Sequence, residues 1–276
     1  MHIETVTSGA NPKIRNLLLL QEKSKARREQ GLFVVEGKRE LEHCIEAGYK
    51  VRTVFVCTEI AGERALPSAS LRDPVRANAP GNALSPAIVE VPEHLYRKIA
   101  YREGTEGIVA EVETRTIGLE DLQLPENPLI VVLEAVEKPG NLGAVLRSAD
   151  AAGADAVIVC DPLTDLYNPN LIRASIGAIF TVPTVAAGSA EVIAFLKARG
   201  IRILTAQLQD SSLYYDVDMK CGTAIIMGTE STGLTDIWRR AADAHIRIPM
   251  LGRLDSLNVS VSASILLFEA VRQRQE

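Results

Sequence analysis

The chain has 276 residues, 47% hydrophobic and 24% charged, with a formal net charge of −5. That length fills one large core or two modest ones, and the acidic balance gives no bulk attraction to a polyanion. No apolar run approaches the ~20 residues a membrane span needs. Cys44, Cys57, Cys160 and Cys221 form no CxxC pair, which sets aside a zinc site and a disulfide frame and fits free thiols in a reducing compartment. No secretory signal precedes the first helix, so a soluble cytoplasmic protein without metal is expected.

From the N-terminus, a helix is predicted over Pro12–Gln30, then a strand "LFVVEG", a helix from Lys38 to Ala47 and a strand "VRTVFVC". This stretch concentrates positive charge. Lys13, Arg15, Lys23, Lys25, Arg27, Arg28, Lys38 and Arg39 stand against Glu22, Glu29 and Glu36. A local basic surface on an acidic protein suits nucleic acid, and Lys25, Arg27, Arg28, Lys38 and Arg39 are the candidate contacts. A solvated helix face is an equal reading of charge alone. Residues 61–86 carry weak patterning and read as a surface helix or a long loop. "AIVEVPEHLYRKIA" gives a strand and a helix, and the alternating "GIVAEVE" gives a strand. Residues 1–115 thus read as a small α/β unit.

"TRTIGLEDLQLPENP" loses periodicity and contains Pro125 and Pro128, so 116–126 is taken as a linker. Over 127–276 the strands "LIVVLEAV", "AVIVC", "TVPTV", "IRILTA", "TAIIMG" and "HIRIPM" alternate with helices. That alternation predicts a largely parallel sheet covered on both faces, with ligands outside the carboxyl ends of its strands. Three polar loops lie there. Loop one, "EKPGNLGAVLRS", holds Asn141, with Arg147 six residues on along a helix. Loop two, "MGTESTG", sets Glu230 between Gly228 and Gly233. Loop three, "IPMLGRLDSLNVSVS", brings Ser256 and Asn258 to the mouth of the last helix, whose Leu257, Val261, Ile265, Leu266 and Phe268 recur near helical period.

Taken singly, Asn141, Glu230, Ser256 and Asn258 read as helix caps, and Arg147 as a surface ion pair. Taken together, three glycine-bearing loops in one α/β unit suggest a composite site. An arginine there suits phosphate or a developing oxyanion. "PGNLGAV" lacks the GxGxxG of dinucleotide folds, which disfavours a nicotinamide-dependent dehydrogenase. The histidines, His2, His43, His94 and His245, fall outside all three loops, which disfavours a hydrolytic triad.

"NLGAVLRSADAAGA", "MGTESTG" and "IPMLGRLDSLNVSVSASILLFEAVRQR" resemble, in order and spacing, the three motifs of the SpoU/TrmH family of SPOUT-class RNA ribose 2′-O-methyltransferases. The resemblance covers roughly 127–276. "GLFVVEGKRELEHCIEAG" and "REGTEGIVAEVE" are similar to segments of the L30e-like RNA-binding domain that precedes the catalytic domain in many rRNA-directed members. "NPNLIRASIGAIFTVP" resembles a further family segment and adds Arg173 to the RNA-contact candidates.

The resemblance implies an α/β domain with a deep C-terminal trefoil knot. It implies S-adenosylmethionine held near Thr205, Ala206, Gly228, Ile248 and Leu257, and a homodimer with its active site near the subunit interface. The family's proposed proton acceptor maps onto Arg147, and Asn141, Glu230, Ser256 and Asn258 would orient it, the ribose and the cofactor loops. A guanidinium is ordinarily a permanent cation, so orienting the phosphate and stabilising an alkoxide is the competing role. The implied substrate is rRNA rather than tRNA. The alternatives are a tRNA methyltransferase and an RNA-binding protein without catalysis.

Overall fold

The computed structural model describes residues 3–62, 86–101, 106–229 and 232–275. The chain forms two compact units. One comprises Met1–Arg115 with Leu166–Gly177, the other Thr116–Asp165 with Ala178–Glu276. One boundary falls at Arg115, and two stretches are placed otherwise than the sequence suggests. Residues 116–126 are no free linker, because Leu119 and Leu122 are buried in the core of the second unit. Leu166–Gly177, expected within the second unit, packs with the first. The reason is aromatic. The Tyr167 ring stacks on buried Phe33 with centroids 4.3 Å apart, and its hydroxyl donates to the carbonyl of Arg115 at 2.6 Å.

The first unit carries strands β1 (Ile3–Thr5), β2 (Leu32–Glu36), β3 (Val51–Val56), β4 (Ala87–Glu90) and β5 (Ile108–Glu113), in the order β1-β4-β3-β5-β2. β5 runs antiparallel to both β2 and β3, and the remaining pairs are parallel. The main helices are α1 (Pro12–Glu22), α2 (Ser24–Gln30), α3 (Lys38–Glu46) and α4 (Glu93–Ile99), with shorter ones at Thr58–Ala61 and Pro169–Ser175. The predicted helix over 12–30 is therefore broken at Lys23, whose backbone is extended. Most of the weakly patterned region at 61–86 lies outside the described residues.

The break accounts for one correction. The charge pattern places Arg27 on an RNA-facing surface, but it is only 3% exposed, and its guanidinium donates to the carbonyls of Leu20 at 2.5 Å and Gln21 at 3.2 Å. Carbonyls in the last turn of a helix lack intrahelical donors. Arg27 reaches back across the break and supplies them, so its charge belongs to the fold. Lys25, Arg28, Lys38, Arg39 and Arg173 are exposed as expected.

The second unit is built on seven parallel strands. They are β6 (Leu129–Glu134), β7 (Ala156–Cys160), β8 (Thr184–Ala187), β9 (Arg202–Ala206), β10 (Ser212–Leu213), β11 (Thr223–Met227) and β12 (Ala244–Arg247). Their order is β10-β12-β9-β11-β6-β7-β8. Every residue of β6, β7 and β11 is buried, as sheets covered on both faces require. The main helices are α5 (Pro139–Ala151), α6 (Ser189–Ala198), α7 (Asp236–Ala241) and α8 (Val259–Gln275). The reading of "TVPTV" as a strand holds only from Thr184, because Ala178–Thr181 forms a helical turn and Pro183 has no N–H for the ladder.

Helix α8 buries Val259, Ala263, Leu266, Leu267 and Ala270. Of the apolar positions noted in the sequence, Leu266 joins this core face. Leu257, Val261 and Phe268 are 37%, 48% and 49% exposed. Val261 and Phe268, seven residues apart, lie on one side of α8 and leave apolar surface exposed there, while Leu257 precedes the helix.

Candidate active site

At the carboxyl ends of β9, β11 and β12 the chain encloses a cavity of about 380 Å³. Its wall contains Ala206, Gly228, Ile248, Ser256 and Leu257, five of the residues singled out in the sequence. Gln207, Thr232, Gly233 and Asp255 complete much of the rest. Pattern alone could not have identified Gln207 and Asp255, since their place depends on how the loops after β9 and β12 converge. Thr205, expected beside the cofactor, lies one layer below. It is fully buried, and its hydroxyl pairs with His245 Nδ1 across the β9–β12 ladder at 2.5 Å. Glu230 lies outside the described residues.

Loop two closes on itself at this wall. Gly233 N donates to the Thr229 carbonyl at 3.1 Å, and the Thr229 and Thr232 hydroxyls pair at 2.7 Å. A Cβ at Gly228 would lie 2.3 Å from the carbonyl carbon and oxygen of Gly233. Only hydrogen fits there, and backbone meets backbone at the cavity edge.

Loops one and three meet beside the cavity. Asn258 Nδ2 donates to Asn141 Oδ1 at 3.2 Å, while Asn258 Oδ1 accepts from the Ser260 amide at 3.0 Å and hydroxyl at 2.6 Å. The seam continues between α5 and α8, where the Ser148 and Ser264 hydroxyls pair at 2.7 Å. Residues separated by 117 positions in sequence are thus joined directly. Arg147 is placed differently. Six residues rotate a helix by about 600°, so Arg147 and Asn141 do not share a face. Arg147 is exposed, is not part of the cavity wall and has no side-chain partner among the described residues.

Residues 128–268 match the SpoU rRNA Methylase family. The chain belongs to that family. Residues 11–110 of this SpoU methylase match the MRM3-like substrate binding domain, in line with the expected RNA-binding domain before the catalytic one. The chain is 33% identical to a 23S rRNA (uridine(2479)-2′-O)-methyltransferase of Streptomyces viridochromogenes, over 90% of this chain and 85% of that protein. It is 37% identical to a 23S rRNA (guanosine-2′-O-)-methyltransferase of Ralstonia nicotianae, over 64% of this chain and 74% of that one. The crystal structure of an AdoMet-bound rRNA methyltransferase from Sinorhizobium meliloti superposes with a TM-score of 0.84 at 31% identity, covering 98% of each chain.

Among the described residues no group of His, Cys, Asp and Glu has metal-binding geometry, and no helix is long and apolar enough to cross a membrane. The cysteines are free, three of them buried. Burial pushes the Cys160 thiol up to about 12 and the Cys44 thiol higher still, so neither is a nucleophile near neutrality.

Proposed function

We infer that the chain is an S-adenosylmethionine-dependent ribose 2′-O-methyltransferase acting on ribosomal RNA. The observation that carries the reading is the glycine-walled cavity at the carboxyl ends of β9, β11 and β12, set beside the Asn141–Asn258 pair and within a SpoU methylase sequence. The cavity fits the cofactor chemically. Its size is in the usual range for small-ligand sites, and the close packing of Gly228 on Gly233 draws both ends of loop two together at its wall. Ala206, Gly228, Ile248 and Leu257 hold it there, with Thr205 supporting them from below.

When bound, S-adenosylmethionine supplies an electrophilic methyl group on a sulfonium. The residues of the chain have the remaining tasks. Asn141 and Asn258 fix the junction of loops one and three, and Ser256 and Glu230 orient the cofactor loops. Arg147 would hold the ribose phosphate and stabilise the 2′-oxygen as its proton passes to solvent and the methyl group moves to it, leaving S-adenosylhomocysteine. Incubating the protein with radiolabelled S-adenosylmethionine and, in parallel, ribosomal RNA and tRNA, then mapping 2′-O-methyl nucleotides, tests the reading. Label appearing in tRNA alone, or in neither RNA, would overturn it.

The same reading makes the protein a cytoplasmic homodimer with a knotted C-terminal unit. Support for the dimer is the exposed pair Val261 and Phe268 on one side of α8. Val261→Glu combined with Phe268→Glu is expected to convert a dimer to a folded monomer in analytical ultracentrifugation. A dimer of unchanged affinity would place the interface elsewhere.

The first unit is the RNA-holding part in this reading. Reversing Lys25, Arg28, Lys38 and Arg39 to Glu is expected to weaken rRNA binding and flatten its salt dependence. Each phosphate that the variant no longer neutralises lowers the log–log slope by about 0.7 for single strands. Cofactor affinity is expected to stay constant. Wild-type RNA affinity and slope in the variant would show that this face does not grip RNA.

A further inference from the structure

We propose that Glu134 is a positioning residue that presets loop two for the cofactor, and that Trp238 reports the state of that loop. Glu134 is the last residue of β6, 4% exposed, so a carboxylate is held inside the second unit. Burying a carboxylate is costly unless hydrogen bonds compensate it. The donors it has come largely from one residue. The Thr235 amide donates to Glu134 Oε2 at 2.8 Å, and the Thr235 hydroxyl donates to Oε1 at 2.6 Å. Thr235 caps α7 and directly follows Gly233 and Leu234, which stand in the cavity wall. The other end of loop two leaves β11, which pairs with β6. Glu134 therefore ties the far end of the loop back to the strand next to its origin. The return brings Gly233 against Gly228 with no room for a Cβ.

The anchor extends to the single tryptophan of the chain. Ser189 Oγ lies 3.4 Å from Glu134 Oε1 and donates more closely to Asp161 Oδ2 at 2.6 Å. The fully buried Trp238 donates its Nε1–H to that same Ser189 oxygen at 3.1 Å. Trp238 stands on α7 three residues beyond Thr235, and its backbone amide donates to the Thr235 carbonyl at 3.2 Å, so a shift of Thr235 on filling of the cavity moves the indole directly. Sequence reading missed Glu134 because a carboxylate ending a fully apolar strand has no motif of its own.

The inference rests on the cofactor occupying this cavity, and the test separates the two. S-adenosylhomocysteine is titrated into the full-length protein, followed by calorimetry and by Trp238 fluorescence. Wild type is expected to bind with a fluorescence change. Failure of wild type to bind would overturn the cavity reading and this inference with it. Glu134→Gln replaces one acceptor oxygen by an NH₂ that faces a donor, and its dissociation constant is expected to rise about tenfold. Thr235→Ser keeps both donors and is expected to bind as wild type does, with the same fluorescence change. Thr235→Val keeps only the amide and is expected to bind severalfold more weakly with a diminished fluorescence change. A merely structural role predicts lower melting temperatures with unchanged affinity. Unchanged affinity in folded Glu134→Gln overturns the proposal. If Glu134→Gln does not fold, unchanged affinity in Thr235→Val does so.

Discussion

Arg147→Ala is expected to abolish methyl transfer while leaving the fold and cofactor affinity intact. The side chain stands on α5, the helix that begins with loop one, and has no hydrogen bond or ion pair among the described residues. Removing it therefore breaks no internal bond, and the melting temperature should stay close to wild type. It is also outside the cavity wall, so S-adenosylhomocysteine should bind as before. The loss should fall on the chemical step. Losing one preorganised group that stabilises developing charge typically costs about 10²–10³ in rate. Arg147→Lys should fail as well, because an ammonium offers a point charge where a planar fork grips phosphate. Single-turnover methyl transfer at saturating cofactor and RNA measures this directly. Turnover near wild type in both variants would remove Arg147 from the site.

Gly228→Val should have the largest effect on cofactor binding. The new Cβ alone would sit 2.3 Å from the Gly233 carbonyl and 2.6 Å from the Leu234 amide nitrogen. Those atoms are backbone, so no rotamer change relieves the overlap and loop two must open. Forcing an overlap into a packed position costs about 1–3 kcal/mol, so S-adenosylhomocysteine affinity should fall about 10- to 100-fold. Gly233→Ala is the informative contrast. Among the described residues its Cβ would meet Arg239 Nη2, at 4.0 Å, but the residue has φ of +67°. A left-handed alanine costs roughly 1–2 kcal/mol, which should appear as a lower melting temperature with cofactor affinity largely retained. Calorimetry on folded Gly228→Val that finds wild-type affinity would show that loop two is not the cofactor loop.

The two expected results differ in how far sequence reasoning reaches. The glycines of loop two, the Ser256–Asn258 mouth of α8 and Asn141 are legible because turn and cap chemistry is local. A short stretch of residue types sets the backbone, and the flanking strands set where the loop sits. The parallel sheet is legible for the same reason, since the uniformly apolar strands "LIVVLE", "AVIVC" and "TAIIM" require cover on both faces.

What the sequence determined by itself is therefore the class of fold, the three loops and, through their order, the family. Tertiary structure alone decided which charges are available. Arg27 and Arg28 are adjacent and chemically identical, yet a one-residue break at Lys23 turns Arg27 inward to the free carbonyls of α1 and leaves Arg28 in water. Tertiary structure also decided that Thr205 is buried against His245 and not in the cavity wall, that Leu166–Gly177 joins the first unit through Tyr167, and that Glu134 holds Thr235 across 101 residues. Each of these depends on a partner far away in the chain. Local pattern specifies backbone conformation, whereas burial and hydrogen-bond pairing are set only when distant elements pack.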